Sequence, residues 1–365
     1  QFDNGLRYYI RVNKKPEKRA DLWLIVDAGS VLEDDDQQGL AHLAEHMAFN
    51  GTKNFRKQEL IDYLEAIGMK FGPEVNAFTG FDETGYMLQV PTDSSHFVEK
   101  GFQILEDWAH QVSYDSDEID KERGVVIEEW RLSRGASMRM LDRQLPILFK
   151  DSKYAVRLPI GKKEIIEKCD YETLRKFYRD WYRPDLQAIV AVGDFDPAYI
   201  KGLIEKHFKN LPARKDERRK ELYPVPDHQE PLYAIASDPE ADGTSISVYF
   251  KRENENRETL ADLRGMFMEQ IYNSILNNRL DELRQQADPP FMFGYSDKGS
   301  FVRTKSVYFL GARVKEDGIE RGLDALLTES ARIRKFGVTE SELSRAKTDL
   351  LRGLERANEE RDKTQ

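Results

Sequence analysis

The chain has 365 residues, 39% apolar and 33% charged, with 23 Gly and 14 Pro, a balance that allows a buried core in about two or three domains and excludes a disordered or collagen-like chain. No run approaches the roughly 20 apolar residues of a membrane-spanning helix, and the single cysteine, Cys169, excludes an internal disulfide framework and a Cys-rich zinc module. A net charge of -10, from 56 Lys+Arg against 66 Asp+Glu, argues against a nucleic-acid partner.

The chain opens on Gln1-Phe2-Asp3-Asn4 without a charged-then-apolar leader, so any targeting segment is expected to lie outside this stretch. Short alternating runs predict strands over Leu6 to Val12, Asp21 to Val26, Thr84 to Val90 and Gln187 to Val192. Patterns with helical spacing lie between them, over Gly39 to Phe49, Lys57 to Ile67, Ser95 to Val112, Asp117 to Leu132 and Tyr171 to Tyr182. Near Asn210 the composition changes to a charged run from Leu211 to Lys220, followed by Pro224, Pro226 and Pro231, which reads as a linker over residues 211–230. Beyond it, strands are expected at Leu232 to Ser237, Ser245 to Phe250, Phe291 to Tyr295 and Ser306 to Val314, with helices at Glu258 to Gln285, Gly318 to Phe336 and Thr339 to Arg356. The expected fold is α+β: two related domains, 1–210 and 231–365, each a mostly antiparallel sheet covered by helices. The charged run Glu359 to Gln365 closes a long helical pattern, so the second domain is expected to be truncated and the chain to be a fragment.

Six histidines are present, and two of them fall in His42-Leu43-Ala44-Glu45-His46. Positions i and i+4 share a helix face with Cβ atoms about 5–6 Å apart, within reach of one Zn²⁺ at about 2.0–2.1 Å per nitrogen. Glu45 sits about 100° around the helix from His46, where its carboxylate can reach a water on that metal. This is the inverted zinc-peptidase motif. Chance supplies about 0.01 such triplets in a chain with this histidine content. The alternative is a pair of surface or capping histidines on an amphipathic helix.

Zinc requires a third protein ligand. On the helix Asp117 to Leu132, Glu122 and Glu129 lie within about 20° of each other, on the side of Val125 and Val126, whereas Glu128 points about 100° away from Glu129. Helix phase therefore selects Glu122 and Glu129 as the inward pair, against the alternative of a solvated acidic face partnered by Arg123 and Arg131.

Together with Phe49-Asn50-Gly51-Thr52 and Val75-Asn76-Ala77-Phe78-Thr79, these motifs resemble the pitrilysin/insulysin family of zinc peptidases, and within it the bacterial branch of large two-half zinc proteases. The resemblance covers most of residues 1–200 and continues more weakly beyond. It implies that His42, His46 and Glu129 hold Zn²⁺, that Glu45 is the general base, and that Glu122 supports the ligands as an accessory catalytic carboxylate. It also implies that Asn76, Ala77 and Phe78 belong to an edge strand on which an extended peptide adds by backbone pairing. Phe49 and Phe78 are candidates for a side-chain pocket, with a place in the core as the alternative.

No histidine follows His228, so the second unit cannot repeat the metal site; the resemblance makes it a catalytically silent wall. The other residues read as structural: His96 and His110 as partly buried, His207 beside Lys206 and Lys209, Cys169 as a buried or inert thiol, and Arg183-Pro184-Asp185 as a segment before the strand Gln187 to Val192 that resembles one of the family's. The expected function is a zinc-dependent endopeptidase that hydrolyses extended peptides or unfolded polypeptides with metal-activated water. The alternative is a silent structural or peptide-binding subunit of the same fold. The partners implied are a peptide and a missing C-terminal half or partner subunit that closes the chamber, and the compartment implied is the bacterial periplasm or cell envelope.

Overall fold

The computed structural model describes residues 1–213, 218–255 and 257–361. Residues 214–217 of the expected linker and 362–365 of the terminal charged run lie outside the described residues. Two compact units form: one mostly from residues 1–135 and 145–223, the other from 136–144 and 224–360.

In the first unit the elements run β1 (Arg7–Val12), β2 (Arg19–Val26), α1 (Leu40–Met47), α2 (Glu59–Ala66), β3 (Val75–Thr79) and β4 (Thr84–Pro91). There follow α3 (Ser95–His110), α4 (Ser116–Leu132), α5 (Ala136–Leu148), which runs between the two residue sets, α6 (Lys163–Lys168), α7 (Tyr171–Trp181), β5 (Gln187–Gly193) and α8 (Pro197–Phe208). The five strands make one sheet in the order β1-β5-β2-β4-β3. Only the β1–β5 pair is parallel; the rest are antiparallel, with Leu22 of β2 opposite Leu88 of β4 and Ala191 of β5. Strict alternation in β2 buries Ala20, Leu22, Leu24 and Val26 on one face. Helix α3 packs there so closely that a Cβ on Gly101 would come within 2.9 Å of Leu22 Cδ1, so any larger residue would have to push that side chain aside. Phe102 and Trp108 of α3 and Tyr86 of β4 are fully buried. Phe49, partly buried, joins this aromatic cluster, with ring centroids 5.1 Å from Trp108 and 5.3 Å from the half-exposed Phe71, and does not line the cleft described below.

The second unit holds β6 (Thr244–Arg252), α9 (Leu260–Arg284), β7 (Phe293–Val302), β8 (Lys305–Val314), α10 (Ile319–Phe336) and α11 (Glu340–Glu360). Its strands pair antiparallel in the order β6-β8-β7, which repeats the β2-β4-β3 part of the first sheet. The core joins Ile275, Leu276 and Leu280 of α9 to Leu310, Ala312 and Val314 of β8 and Leu326 of α10. Helix α9 opens on a capping box, Thr259 with Asp262.

The strand expected at Leu232 to Ser237 does not form: the segment is outside both sheets, with Tyr233 79% and Ile235 92% exposed. Its counterpart β1 pairs only with β5, the last strand of the first unit. Among the described residues no strand follows β8 to play that part, so an alternating pattern at 232–237 has no ladder to join. Also unlike the expectation, His96 is exposed, whereas His110 is partly buried.

Candidate metal centre and active site

Helix α1 carries the histidine motif and is only 8 residues long, too short to persist by its own propensity. Packing holds it: Leu40, Ala41, Leu43, Ala44 and Met47 are fully buried, each large side chain contributing about 1.5–3 kcal/mol. Both ends are fixed by groups the sequence does not announce. Glu33, itself fully buried, accepts hydrogen bonds from the backbone N–H groups of Gly39 at 3.0 Å and Ala41 at 2.8 Å, capping the N-terminus. Burial pushes its carboxyl up to about 8 against those two bonds. At the other end the Trp108 indole donates to the Ala48 carbonyl at 2.9 Å. The start of α1 also meets Gly161 at Gly39 (φ +101), where a Cβ on Gly161 would lie 2.2 Å from the Gly39 Cα. That contact sets Pro159 and Ile160 at the rim of a cleft.

The cleft, of about 460 Å³, is lined by His42, Glu45, His46, Glu129, Pro159 and Ile160, and by Ala77, Phe78 and Thr79 of β3. The Nε2 atoms of His42 and His46 are 3.2 Å apart, and Glu129 Oε2 lies 3.4 Å from the second and 3.7 Å from the first. Tetrahedral ligands at about 2.0–2.2 Å from a zinc ion stand about 3.3–3.6 Å from one another. The three atoms therefore describe one face of such a tetrahedron, and two imidazoles with one carboxylate are a donor set that suits zinc. No other group of three His, Cys, Asp or Glu among the described residues meets this spacing.

Burial, together with the His46 charge, lowers the His42 pKa to about 4, which keeps that imidazole neutral and ready to ligate. Its Nδ1 finds no partner among the described residues. For His46 burial acts in the same sense, but the hydrogen bond to Glu122 and the charges of Glu45, Glu122 and Glu129 outweigh it and raise the pKa. Glu122 Oε1 takes the Nδ1 of His46 at 2.7 Å, and its Oε2 accepts from the Asn50 amide at 2.7 Å. Asn50 also donates to the His46 carbonyl at 3.2 Å, so it clamps Glu122 to the helix. A carboxylate behind a ligating imidazole fixes its tautomer and orientation. Glu122→Gln should weaken zinc affinity about 10–100-fold in a chelator competition, with little change in the thermal midpoint.

Helix phase on α4 is only partly as expected. Glu118, Ile119, Arg123 and Val126 are buried, an arc that runs from about 40° on one side of Glu122 to about 100° on the other. Glu122 and Glu129 fall within it, and Glu129 reaches the open cleft half-exposed. Val125, about 20° outside the arc, is 52% exposed and does not share the inward side. Glu128 faces outward and pairs with Arg131, whose Nε is 2.9 Å away. Arg123 turns to the carbonyls of Glu167 at 2.8 Å and Cys169 at 2.5 Å, so neither arginine partners the inward carboxylates.

Glu45 is 7% exposed, and burial raises its pKa. Its Oε2 accepts a hydrogen bond from the Thr79 hydroxyl at 2.7 Å. On β3, Ala77 and Phe78 line the cleft, and the Phe78 ring occupies the space a Cβ on Gly85 would fill. Asn76 is exposed, does not line the cleft, and accepts from the Ala77 N–H at 2.9 Å. Strand β3 ends the sheet order, and among the described residues its outer edge meets only an isolated bridge from Phe71 to Val75, which leaves Asn76 to Thr79 without a strand beside them. Asn50 and Thr79 stand inside the sequence motifs, but only their hydrogen bonds distinguish them there. Of the remaining candidates, the partly buried Cys169 has its thiol pKa raised by burial, and His207 is held by Glu106 at 2.6 Å.

Comparison with known proteins gives two family matches: residues 8–145 match insulinase (peptidase family M16), and residues 168–350 match the peptidase M16 inactive domain. A zinc protease PQQL-like protein of Arabidopsis thaliana is 35% identical over 366 residues, across 100% of this chain and 35% of its own. The probable zinc protease PqqL of Haemophilus influenzae is 31% identical over 352 residues, across 94% of this chain and 37% of its own. The crystal structure of the first half of the periplasmic protease PqqL from Escherichia coli superposes with a TM-score of 0.87 at 28% identity, covering 100% of this chain and 78% of that one. The chain thus spans roughly a third of the length of the curated relatives it matches, 35% and 37% for these two.

Proposed function

The chain belongs to peptidase family M16, the insulinase family of zinc proteases, and from that premise we propose that it is the zinc-holding part of an endopeptidase acting on extended peptides and unfolded polypeptides. The observation that carries this reading is the triangle of His42 Nε2, His46 Nε2 and Glu129 Oε2, with the buried carboxylate of Glu45 beside it in one cleft. His42, His46 and Glu129 would hold the ion, and Glu122 would keep His46 in the tautomer that presents Nε2. Bound there, zinc supplies an acidified water and polarises the scissile carbonyl. Glu45 accepts the water's proton and returns it to the leaving amine, a role that its upward-shifted pKa favours. The unpaired edge of β3 at Asn76, Ala77 and Phe78 takes the substrate backbone as an added strand, which explains tolerance of sequence and a requirement for unfolded substrate.

In this reading residues 1–210 are the catalytic domain, 211–230 the linker and 231–365 a non-catalytic domain; the inactive-domain match, over residues 168–350, starts inside the first of these. A C-terminal half or partner subunit closes the chamber. Likeness to a periplasmic protease supports the periplasm or cell envelope as the compartment.

The test is zinc content together with cleavage of an internally quenched peptide and of one protein in its folded and unfolded forms. Roughly one zinc per chain is expected, with the peptide and the unfolded form cut, the folded form spared, and activity lost on chelation and restored by zinc. Full zinc occupancy without any cleavage would instead favour a silent subunit.

A further inference from the structure

Building on the peptidase reading, we infer that Thr79 is the positioning residue of Glu45, and that it ties the base to the strand on which substrate docks. The two side chains come from different elements: Glu45 from α1, and Thr79 from the last position of β3. Val75, Ala77 and Thr79 share one face of that strand, and Asn76 and Phe78 the other, so Thr79 turns to α1 on the face it shares with Ala77. The Thr79 backbone is fixed by pairing with Thr84, whose own hydroxyl donates to the Ala28 carbonyl at 2.9 Å. Its β-branched side chain has few χ1 states, so the hydroxyl is aimed by the sheet rather than by chance rotation.

The bond from Thr79 to Glu45 Oε2, at 2.7 Å, occupies one oxygen of the carboxylate. The other, Oε1, makes no hydrogen bond among the described residues, and it is the one left to meet a water in the cleft. The hydroxyl aims the carboxylate without placing a charge beside it. A base and a docking strand joined through one hydroxyl also share a register: a peptide added to β3 meets a base already set relative to that strand.

The experiment uses the zinc-loaded full-length protein and an internally quenched peptide, comparing the parent with Thr79→Val, Thr79→Ser and Glu45→Gln. Thr79→Val is nearly isosteric and removes only the donor. Its kcat should fall about 10–100-fold, part of the rate factor a positioned base supplies, with KM, zinc content and thermal midpoint near the parent's. Thr79→Ser should restore most of the rate. In a Glu45→Gln background, which does not turn over, Thr79→Val should leave the peptide Kd from fluorescence anisotropy unchanged. A Thr79→Val kcat within about twofold of the parent while Glu45→Gln is inactive would overturn the assignment and leave the peptidase reading intact. A raised KM or Kd at unchanged kcat would overturn it too, by making Thr79 a substrate contact. An active Glu45→Gln protein would remove the reading on which it rests.

Discussion

Glu45→Gln should lower peptide hydrolysis by about 10²–10⁴-fold, the usual contribution of a positioned general base, and leave zinc content unchanged. The substitution keeps shape and can still accept the Thr79 hydroxyl through its amide oxygen, so helix α1 has no reason to move. It removes only the ability to take a proton. Glu45 is also absent from the triangle of candidate ligand atoms, so metal retention and loss of rate should separate cleanly. Metal content per chain and kcat on one peptide decide the matter; a variant that keeps the parent's rate would mean that the base lies elsewhere.

His46→Ala should cost the protein its zinc. If about 10–16 kcal/mol of binding is spread over four ligand positions, each is worth about 2.5–4 kcal/mol, or roughly 10²–10³ in affinity. Loss of His46 also leaves Glu122 behind as a poorly exposed carboxylate without its imidazole, so the damage extends beyond one bond. Glu129→Gln should weaken zinc less completely, because its half-exposed side chain has solvent to fall back on. The pH dependence has a definite sign. Zinc and protons compete for Nε2, and His46 holds its proton to a pH above the ordinary histidine value. Zinc affinity should therefore fall as pH drops through that raised value, about tenfold per pH unit for one displaced proton. His42, with its pKa near 4, adds nothing until far lower pH. Glu122→Gln removes the strongest influence raising the His46 pKa, so its binding edge should move to lower pH even as affinity at neutrality declines. Chelator competition from pH 8 to 5 measures both effects; an edge unmoved in Glu122→Gln would dissociate Glu122 from His46.

What the sequence made legible was what depends on local period. The alternation of β2 and the i, i+4 spacing on α1 need no knowledge of distant residues, and a 100° step along α4 was enough to separate Glu129 from Glu128. The same reasoning placed Val125 inward, where the structure exposes it, because a helix at the border of a cleft buries a narrower sector than a helix in a core. Pairing was the harder problem. Residues 232–237 carry a strand pattern without a strand, since a pattern states only that a segment could join a sheet. Helices α5, α6 and α8 escaped notice: α6 is a single short turn and a half, and α5 carries Pro146 near its end. Glu33, Asn50 and Thr79 act through hydrogen bonds to groups as many as 72 positions away, and nothing in their neighbours' identities marks them.

The place of β5 between β1 and β2 governs how the first unit can come into being. β1 begins at Arg7 and its only partner starts at Gln187, so the sheet is closed by contacts across nearly the whole unit. High contact order of this kind makes folding slow compared with a helical bundle. During synthesis, His42, His46 and Glu129 all leave the ribosome before the strand that completes the sheet under them. Until Gly193 follows, β1 and β2 each present an open edge able to pair with a neighbouring chain. A nascent chain therefore carries its metal-binding side chains before it has the frame to hold them in place, with open strand edges for that interval.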